Sequence, residues 1–182
     1  MIAKLEWVSK LSNEEIKITL KPSRHNFEVA VYGSENYFNL GSIIRSAHNF
    51  LAERIYAVDC PSYYKKATMG AKRFEDVTKQ DLDTFLRSLN GKPLIAFERR
   101  PGLDSKQLYN FEWPDNPVMF FGNEKFGVPE KVLEIANHIV SIPVYGVLHD
   151  FNVSNCASMV MYDWIAKHER MKIDQPSPVA YP

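Results

Sequence analysis

Phe27-Glu-Val-Ala-Val-Tyr32, then Gly33-Ser34, then Leu40, Ile43, Ile44, Ala47 and Leu51 at helical spacing, decide the fold of this chain. The first stretch is rich in β-branched and aromatic residues and stops at a turn pair, as a strand does. The second repeats every three to four residues, as the buried stripe of a helix does. A strand running into a helix is half of a parallel βαβ unit. Asn39 reads as the N-cap of that helix.

The alternation continues outward. Ile55-Tyr-Ala-Val-Asp59 reads as a second strand and Pro93-Leu-Ile-Ala-Phe97 as a third. Pro117-Val-Met-Phe-Phe121 is an unbroken apolar run ending at Gly122, the pattern of a strand covered on both faces. His138-Ile-Val-Ser-Ile142 is the fifth. Helices are expected over 82–89, with Thr78 and Asp81 spaced as a capping box and Gly91 beyond the end, and over 129–136, with Pro129 in the first turn. Residues 99–116 are expected to be irregular. Val153, Cys156, Ala157, Val160, Met161, Trp164 and Ile165 keep helical spacing into the last helix. The fold class is therefore α/β, with a mainly parallel sheet flanked by helices. Residues 1–25 are expected to form a short N-terminal extension, 26–168 the folded domain and 169–182 a Pro-rich tail.

Composition limits what such a domain does. The 182 residues carry 22 Lys+Arg against 22 Asp+Glu, a formal charge of zero. That argues against a protein that coats nucleic acid by bulk attraction. It leaves room for local patches: Lys65, Lys66, Lys72 and Arg73 stand together without an acid, and Arg99-Arg100 follow the third strand. Cys60 and Cys156 are too few for a disulfide scaffold and lack zinc spacing. His25, His48 and His149 have no metal spacing either, so no metal is expected. Charges in the first residues argue against a signal peptide, and no apolar run approaches the roughly 20 residues of a membrane helix. A reducing, cytoplasmic setting without a membrane is expected.

In open parallel sheets, ligands bind outside the carboxyl ends of the strands. Three segments lie there. Asn39-Leu-Gly-Ser-Ile-Ile-Arg-Ser-Ala47 follows the first strand, Gly122-Asn-Glu-Lys-Phe-Gly127 the fourth, and Ile142 to Ser154 the fifth. Singly, each has an ordinary explanation: a helix cap, a strand exit, a loop. Arg45 lies more than 100° around its helix from the apolar centre, the place of a surface arginine.

Together, and in this order, the segments resemble the motifs of the SpoU/TrmH family of RNA ribose 2′-O-methyltransferases, in the SPOUT superfamily. Asn39, Gly41, Ile43, Arg45, Ser46 and Ala47 match the first motif, N-x-G-x-I-x-R-[ST]-A. Gly122, Glu124 and Gly127 match the second, G-x-E-x-x-G. Ile142, Pro143, Gly146, Asn152, Val153 and Ser154 match the third, I-P-M-x-G-x-x-x-S-L-N-V-S. The resemblance implies a methyltransferase domain over 26–168 with a deep trefoil knot in its C-terminal part, a homodimer, S-adenosylmethionine as cofactor and tRNA or rRNA as substrate.

It also implies roles. Arg45, Asn39, Glu124 and Asn152 would be catalytic. Arg45 would act on the ribose 2′-hydroxyl, as a base or as an electrostatic partner of the phosphate and nascent alkoxide. Ser154 would cap the last helix or support the site. Phe97, Glu98, Gly122, Asn123, Ile142, Pro143, Val144, Asp150 and Phe151 would hold the cofactor, with Ile142 and Phe151 flanking the adenine. Arg45, Lys65, Lys66, Lys72, Arg73, Arg99 and Arg100 would bind RNA. Tyr63 and Tyr64 are placed either to stack on a base or to pack in the core, and His149 is a candidate supporting group.

One departure stands out. Where the third motif has S-L-N, this chain has Asp150-Phe151-Asn152, and Val144 replaces the motif's Met. An aspartate is an acceptor-only anion where the family has a neutral hydroxyl. It suits a neighbouring cation and repels a phosphate. It motivates a second reading, a catalytically weak relative that binds RNA or cofactor. A third, a generic α/β nucleotide-binding enzyme, lacks support because no P-loop or G-x-G-x-x-G follows any strand.

Overall fold

β1 (His25–Tyr32) lies inside the sheet because both its faces are apolar. Phe27, Val29 and Val31 point to one side and Ala30 to the other, all fully buried. A computed structural model describes residues 10–34, 36–148 and 150–169. Around β1 it places β2 (Ala52–Val58), β3 (Val77–Gln80), β4 (Leu94–Phe97), β5 (Lys106–Gln107), β6 (Val118–Phe121) and β7 (His138–Ser141). The order across the sheet is β3-β2-β1-β6-β4-β7-β5, and each pairing is parallel.

Helices cover both faces. α2 (Tyr37–Asn49) and α5 (Val153–Glu169) pack on the Phe27/Val29/Val31 face, burying Leu40, Ile43, Ile44, Val160, Met161 and Trp164. α3 (Leu82–Ser88) and α4 (Glu130–Leu133) cover the other face through Phe85, Val132 and Leu133. α1 (Asn13–Leu20) precedes β1, has a Ser12/Glu15 capping box and buries Ile16 and Leu20. No described helix is long and apolar enough to cross a membrane.

Several expectations change. Five strands were expected, and β3 and β5 are additional. Val77-Thr-Lys-Gln80 is short and polar, so its pairing with β2 rests on backbone bonds that no side-chain period announces. Thr78 therefore sits inside a strand, and the capping box before α3 does not exist: Asp81 alone caps, accepting the Thr84 N–H at 2.8 Å. β5 lies within the stretch expected to be irregular. Residues 65–73 hold two 3₁₀ turns, Lys65–Thr68 and Ala71–Arg73, joined through left-handed Met69 and Gly70. Asn39 is not the N-cap of α2. Asn36 is, accepting the Phe38 N–H at 3.0 Å, so the helix starts earlier and the Asn39 side chain is released for other work. His149 and the tail from 170 lie outside the described residues.

Candidate functional site

β1, β6, β4 and β7 are neighbours, so the loops leaving their carboxyl ends meet at one edge of the sheet. Those loops, and the starts of α2 and α5 that follow two of them, carry the three motifs. A chain of hydrogen bonds ties them together. Glu124 Oε1 accepts from Ser34 Oγ at 3.0 Å and from the Asn39 amide at 2.5 Å. Asn39 Oδ1 accepts from the Asn152 amide at 3.0 Å. Asn152 Oδ1 accepts the Ser154 N–H at 2.9 Å and the Ser154 hydroxyl at 2.6 Å. Asn152 thus caps α5 and holds Asn39 with the same side chain.

The Gly122–Gly127 loop has a second set of internal bonds. Asn123 donates its amide to the Gly33 carbonyl at 2.5 Å, and its Oδ1 accepts the Lys125 and Phe126 N–H groups. Its side chain is taken up by the loop itself and by the exit of β1. A Cβ on Gly122 would run into the Gly127 carbonyl and the Val128 nitrogen, so glycine is required for the loop to close on itself. Glu98, at the end of β4, accepts the Val128 N–H at 2.7 Å and the Arg99 N–H at 2.8 Å, bracing the same loop from the next strand.

Beside this network opens a cleft of about 500 Å³. Phe97, Glu98, Gly122, Asn123, Ile142, Val144, Asp150 and Phe151 line it, which covers every expected cofactor residue except Pro143. Glu124 and Asn152 face it as well, as do Arg99 and Arg100, which the sequence reading assigned to RNA. Arg100 pairs with Glu130 at 2.6 Å. Ser34, Lys125, Phe126 and Cys156 were not anticipated. Ser34 is fully buried and bonded to Glu124, and only its place directly after the first strand hinted at it. Burial pushes the Cys156 thiol up to about 11, and the Asp150 charge adds to the shift. No group of three or more metal-ligating side chains exists among the described residues.

Arg45 is not part of the network. It is exposed on α2, does not line the cleft and has no hydrogen bond or ion pair among the described residues. It stands six positions after Asn39, which sets the two a third of a turn apart around the helix. The next residue, Ser46, bonds Ser158 of α5 at 2.8 Å. The basic turns pack along α2: Lys65–Thr68 lies against its start, where a Cβ on Gly41 would be 2.7 Å from the Ala67 Cβ and 2.9 Å from the Tyr64 carbonyl, and the chain leaving Arg73 reaches His48 near its end. Lys65, Lys66, Lys72 and Arg73 are all exposed there. Tyr63 is half-buried between Lys72 and Lys79, each about 6 Å from its ring.

The model of the SpoU rRNA methylase family matches residues 26–162, which contain all three motifs. The chain belongs to the SpoU rRNA methylase family. A tRNA (guanosine(18)-2′-O)-methyltransferase of Thermus thermophilus is 26% identical to this SpoU-family chain over 92 residues, 50% of this chain and 46% of that protein. The AdoMet-bound rRNA methyltransferase from Sinorhizobium meliloti superposes with a TM-score of 0.73 at 20% identity, covering 84% of this chain and 60% of that one. The A. aeolicus TrmH/SpoU tRNA modifying enzyme gives 0.72 at 20% identity over 91% and 88%. The two structures share the fold. The SpoU-family chain spans about half the length of the relatives first matched.

Proposed function

We propose that this chain is an S-adenosylmethionine-dependent methyltransferase acting on a ribose 2′-hydroxyl in structured tRNA or rRNA. One observation carries the reading: a single hydrogen-bonded chain, Ser34–Glu124–Asn39–Asn152–Ser154, joins all three motifs beside the cleft.

The residues fit the cofactor. The cleft volume lies within the usual range for small-molecule sites. Phe97, Ile142, Val144 and Phe151 offer apolar walls for an adenine, and Glu98, Glu124 and Asp150 offer carboxylates to a cation. When bound, S-adenosylmethionine supplies an electrophilic methyl group. The protein's part is to place a ribose and manage a proton. Asn39 and Asn152 are held in one orientation at the cleft and fix the geometry of the reacting groups. Arg45 binds an RNA phosphate and stabilises charge developing on the 2′-oxygen. A guanidinium carries five N–H donors and no acceptor, which suits electrostatic stabilisation rather than proton abstraction.

The working form in this reading is a homodimer. What supports it is the exposure of Tyr145 (92%), Val147 (94%) and Leu148 (76%) in one short loop, since contiguous exposed apolar side chains mark contact surfaces. A deep trefoil knot in the C-terminal part belongs to the same reading. It draws on the sheet order, where β6 lies between β1 and β4 and β7 between β4 and β5. A methyltransferase domain over 26–168 and a cytoplasmic site of action complete it.

Asp150 favours a second reading, a catalytically weak relative, because it is exposed on the cleft where an RNA phosphate would approach. Incubation with tritiated cofactor and separate tRNA and rRNA pools decides. Label recovered as a 2′-O-methylnucleoside is the expected result. No label, with cofactor binding intact by calorimetry, overturns the first reading. A large gain of transfer in Asp150→Ser supports the second.

A further inference from the structure

Phe38 and Tyr64 form an exposed aromatic pair, with ring centroids 4.6 Å apart and planes inclined by 43°. Phe38 is 58% exposed and Tyr64 39%. Neither is left over from the core: α2 buries Leu40, Ile43, Ile44 and Ala47 on its other side. The contact is built. Gly41, one turn beyond Phe38, has no side chain to keep off the Tyr64 carbonyl, and the 3₁₀ turn Lys65–Thr68 therefore seats on α2. That seating brings Tyr64 to Phe38.

The surroundings name the ligand chemistry. Phe38 directly precedes Asn39, whose amide is in the hydrogen-bonded chain at the cleft. Phe38 and Arg45 are seven residues apart, on nearly the same face of α2 and about 10 Å along its axis. Lys65 and Lys66 follow Tyr64, are exposed, and have no ion-pair partner among the described residues. Aromatic faces flanked by unpaired cations suit a flat, uncharged ring attached to a phosphate. Nucleobases stack on aromatic side chains whatever their identity, while lysines take the backbone charge.

We propose that Phe38 and Tyr64 are a stacking platform for an unpaired base of the RNA substrate, flanking the nucleotide whose ribose enters the site. Lys65 and Lys66 hold the adjoining phosphates. The inference rests on the RNA-methyltransferase reading and adds a binding surface to it. It requires the target to lie in a loop or an unstacked segment, since bases inside a helix offer no free face.

The experiment measures filter binding of unfractionated tRNA, and separately of rRNA, to the full chain over a salt series. Phe38→Ala and Tyr64→Ala are each expected to weaken RNA binding roughly 5- to 100-fold. The slope of log affinity against log salt stays unchanged, because no phosphate contact is lost. Lys65→Ala with Lys66→Ala lowers that slope by about 1.4 to 1.8. Phe38→Trp restores binding. Cofactor affinity by calorimetry is the same in all variants. Wild-type RNA affinity in both alanine variants overturns the proposal, as does absence of RNA binding by the wild type. So does a loss of RNA binding in Phe38→Ala that accompanies a change of oligomeric state in light scattering, which assigns the pair to a contact between copies of this chain. Weakened RNA binding in Phe38→Ala, with no label transfer by the wild type, supports the platform and overturns the methyltransferase reading.

Discussion

Asn39 donates its side-chain amide to Glu124 at 2.5 Å, bridging residues 85 positions apart in sequence. The direction of the bond matters. A carboxylate only accepts, and the Ser154 N–H at the start of α5 only donates. Between these ends the two amides, Asn152 and Asn39, have one consistent orientation, each donating toward Glu124. Three motifs are thereby locked in one geometry by a one-way chain.

Removing the acceptor end tests this lock. Asn39 is only 6% exposed, and Glu124→Ala leaves its amide without an acceptor, at about 1–3 kcal/mol. Methyl transfer is expected to fall on the order of 100-fold through lost positioning. Ser34 and Asn39 both bond the same oxygen, Oε1, so Glu124→Gln can offer its carbonyl to both. It should lose less than about 10-fold. Tritium transfer and thermal melts on both variants provide the check. Equal losses in the two would show that the charge, and not the geometry, is the essential property.

Arg45 should behave in the opposite way. It is exposed and has no ion pair among the described residues, so Arg45→Ala should leave stability within about 0.5 kcal/mol. Cofactor affinity should stay within a few-fold, because Arg45 does not line the cleft. Transfer should drop by about 100-fold or more if it stabilises the developing charge. Retained turnover, read by the same transfer assay, would remove Arg45 from the mechanism.

Residues 27–32 and 117–121 were legible as strands because burial on one or both faces leaves a compositional mark. β3 left none, since Val77-Thr-Lys-Gln80 pairs through backbone groups and its side chains are mostly half-buried. Motif matching found Asn39, Glu124 and Asn152, while helix composition gave Asn39 the wrong local role, that of a cap. Asn36 and Asn39 are both acceptable caps by composition, and only the fold shows that Glu124 claims the second. Ser34 was illegible for a simpler reason: its partner Glu124 arrives from 90 positions along the chain.

Cys156 gives a pH-dependent test of the cleft. Its folded pKa, about 11, lies above the ordinary thiol value of 9.0, chiefly through burial and then through the Asp150 charge. The folded state therefore favours the neutral thiol. The stability this contributes is fully present below about pH 9 and is lost as pH rises through about 11. At pH 8, iodoacetamide should label Cys156 more slowly in the folded chain than in the denatured one. Asp150→Ser should speed labelling only modestly, because burial is the larger cause. Bound cofactor should slow it further, since Cys156 lines the cleft. Peptide mass spectrometry separates it from Cys60, which is buried and also raised by burial.

The basic turns depend on a clamp on their far side. Both oxygens of Glu75 accept from Arg24 at 2.9 Å, and His48 Nδ1 lies 2.7 Å from Oε1. Arg24 also donates to the Ala52 and Phe74 carbonyls, so the clamp joins the entry of β1, the end of α2 and the chain leaving Arg73. The Glu75 side chain is 3% exposed and that of Arg24 10%. Glu75→Ala strands the arginine charge, and such losses cost about 3–5 kcal/mol. Replacing both partners by apolar residues, Arg24→Met with Glu75→Leu, removes the stranded charge and should cost far less. Urea denaturation reads both. RNA affinity separates two functions of the clamp. If it positions Lys72 and Arg73 as well as stabilising the fold, the double variant should keep most of its stability yet bind RNA more weakly, with a shallower salt slope. If stability and RNA affinity recover together in the double variant, packing alone holds the turns, and the ion pair adds nothing to RNA binding.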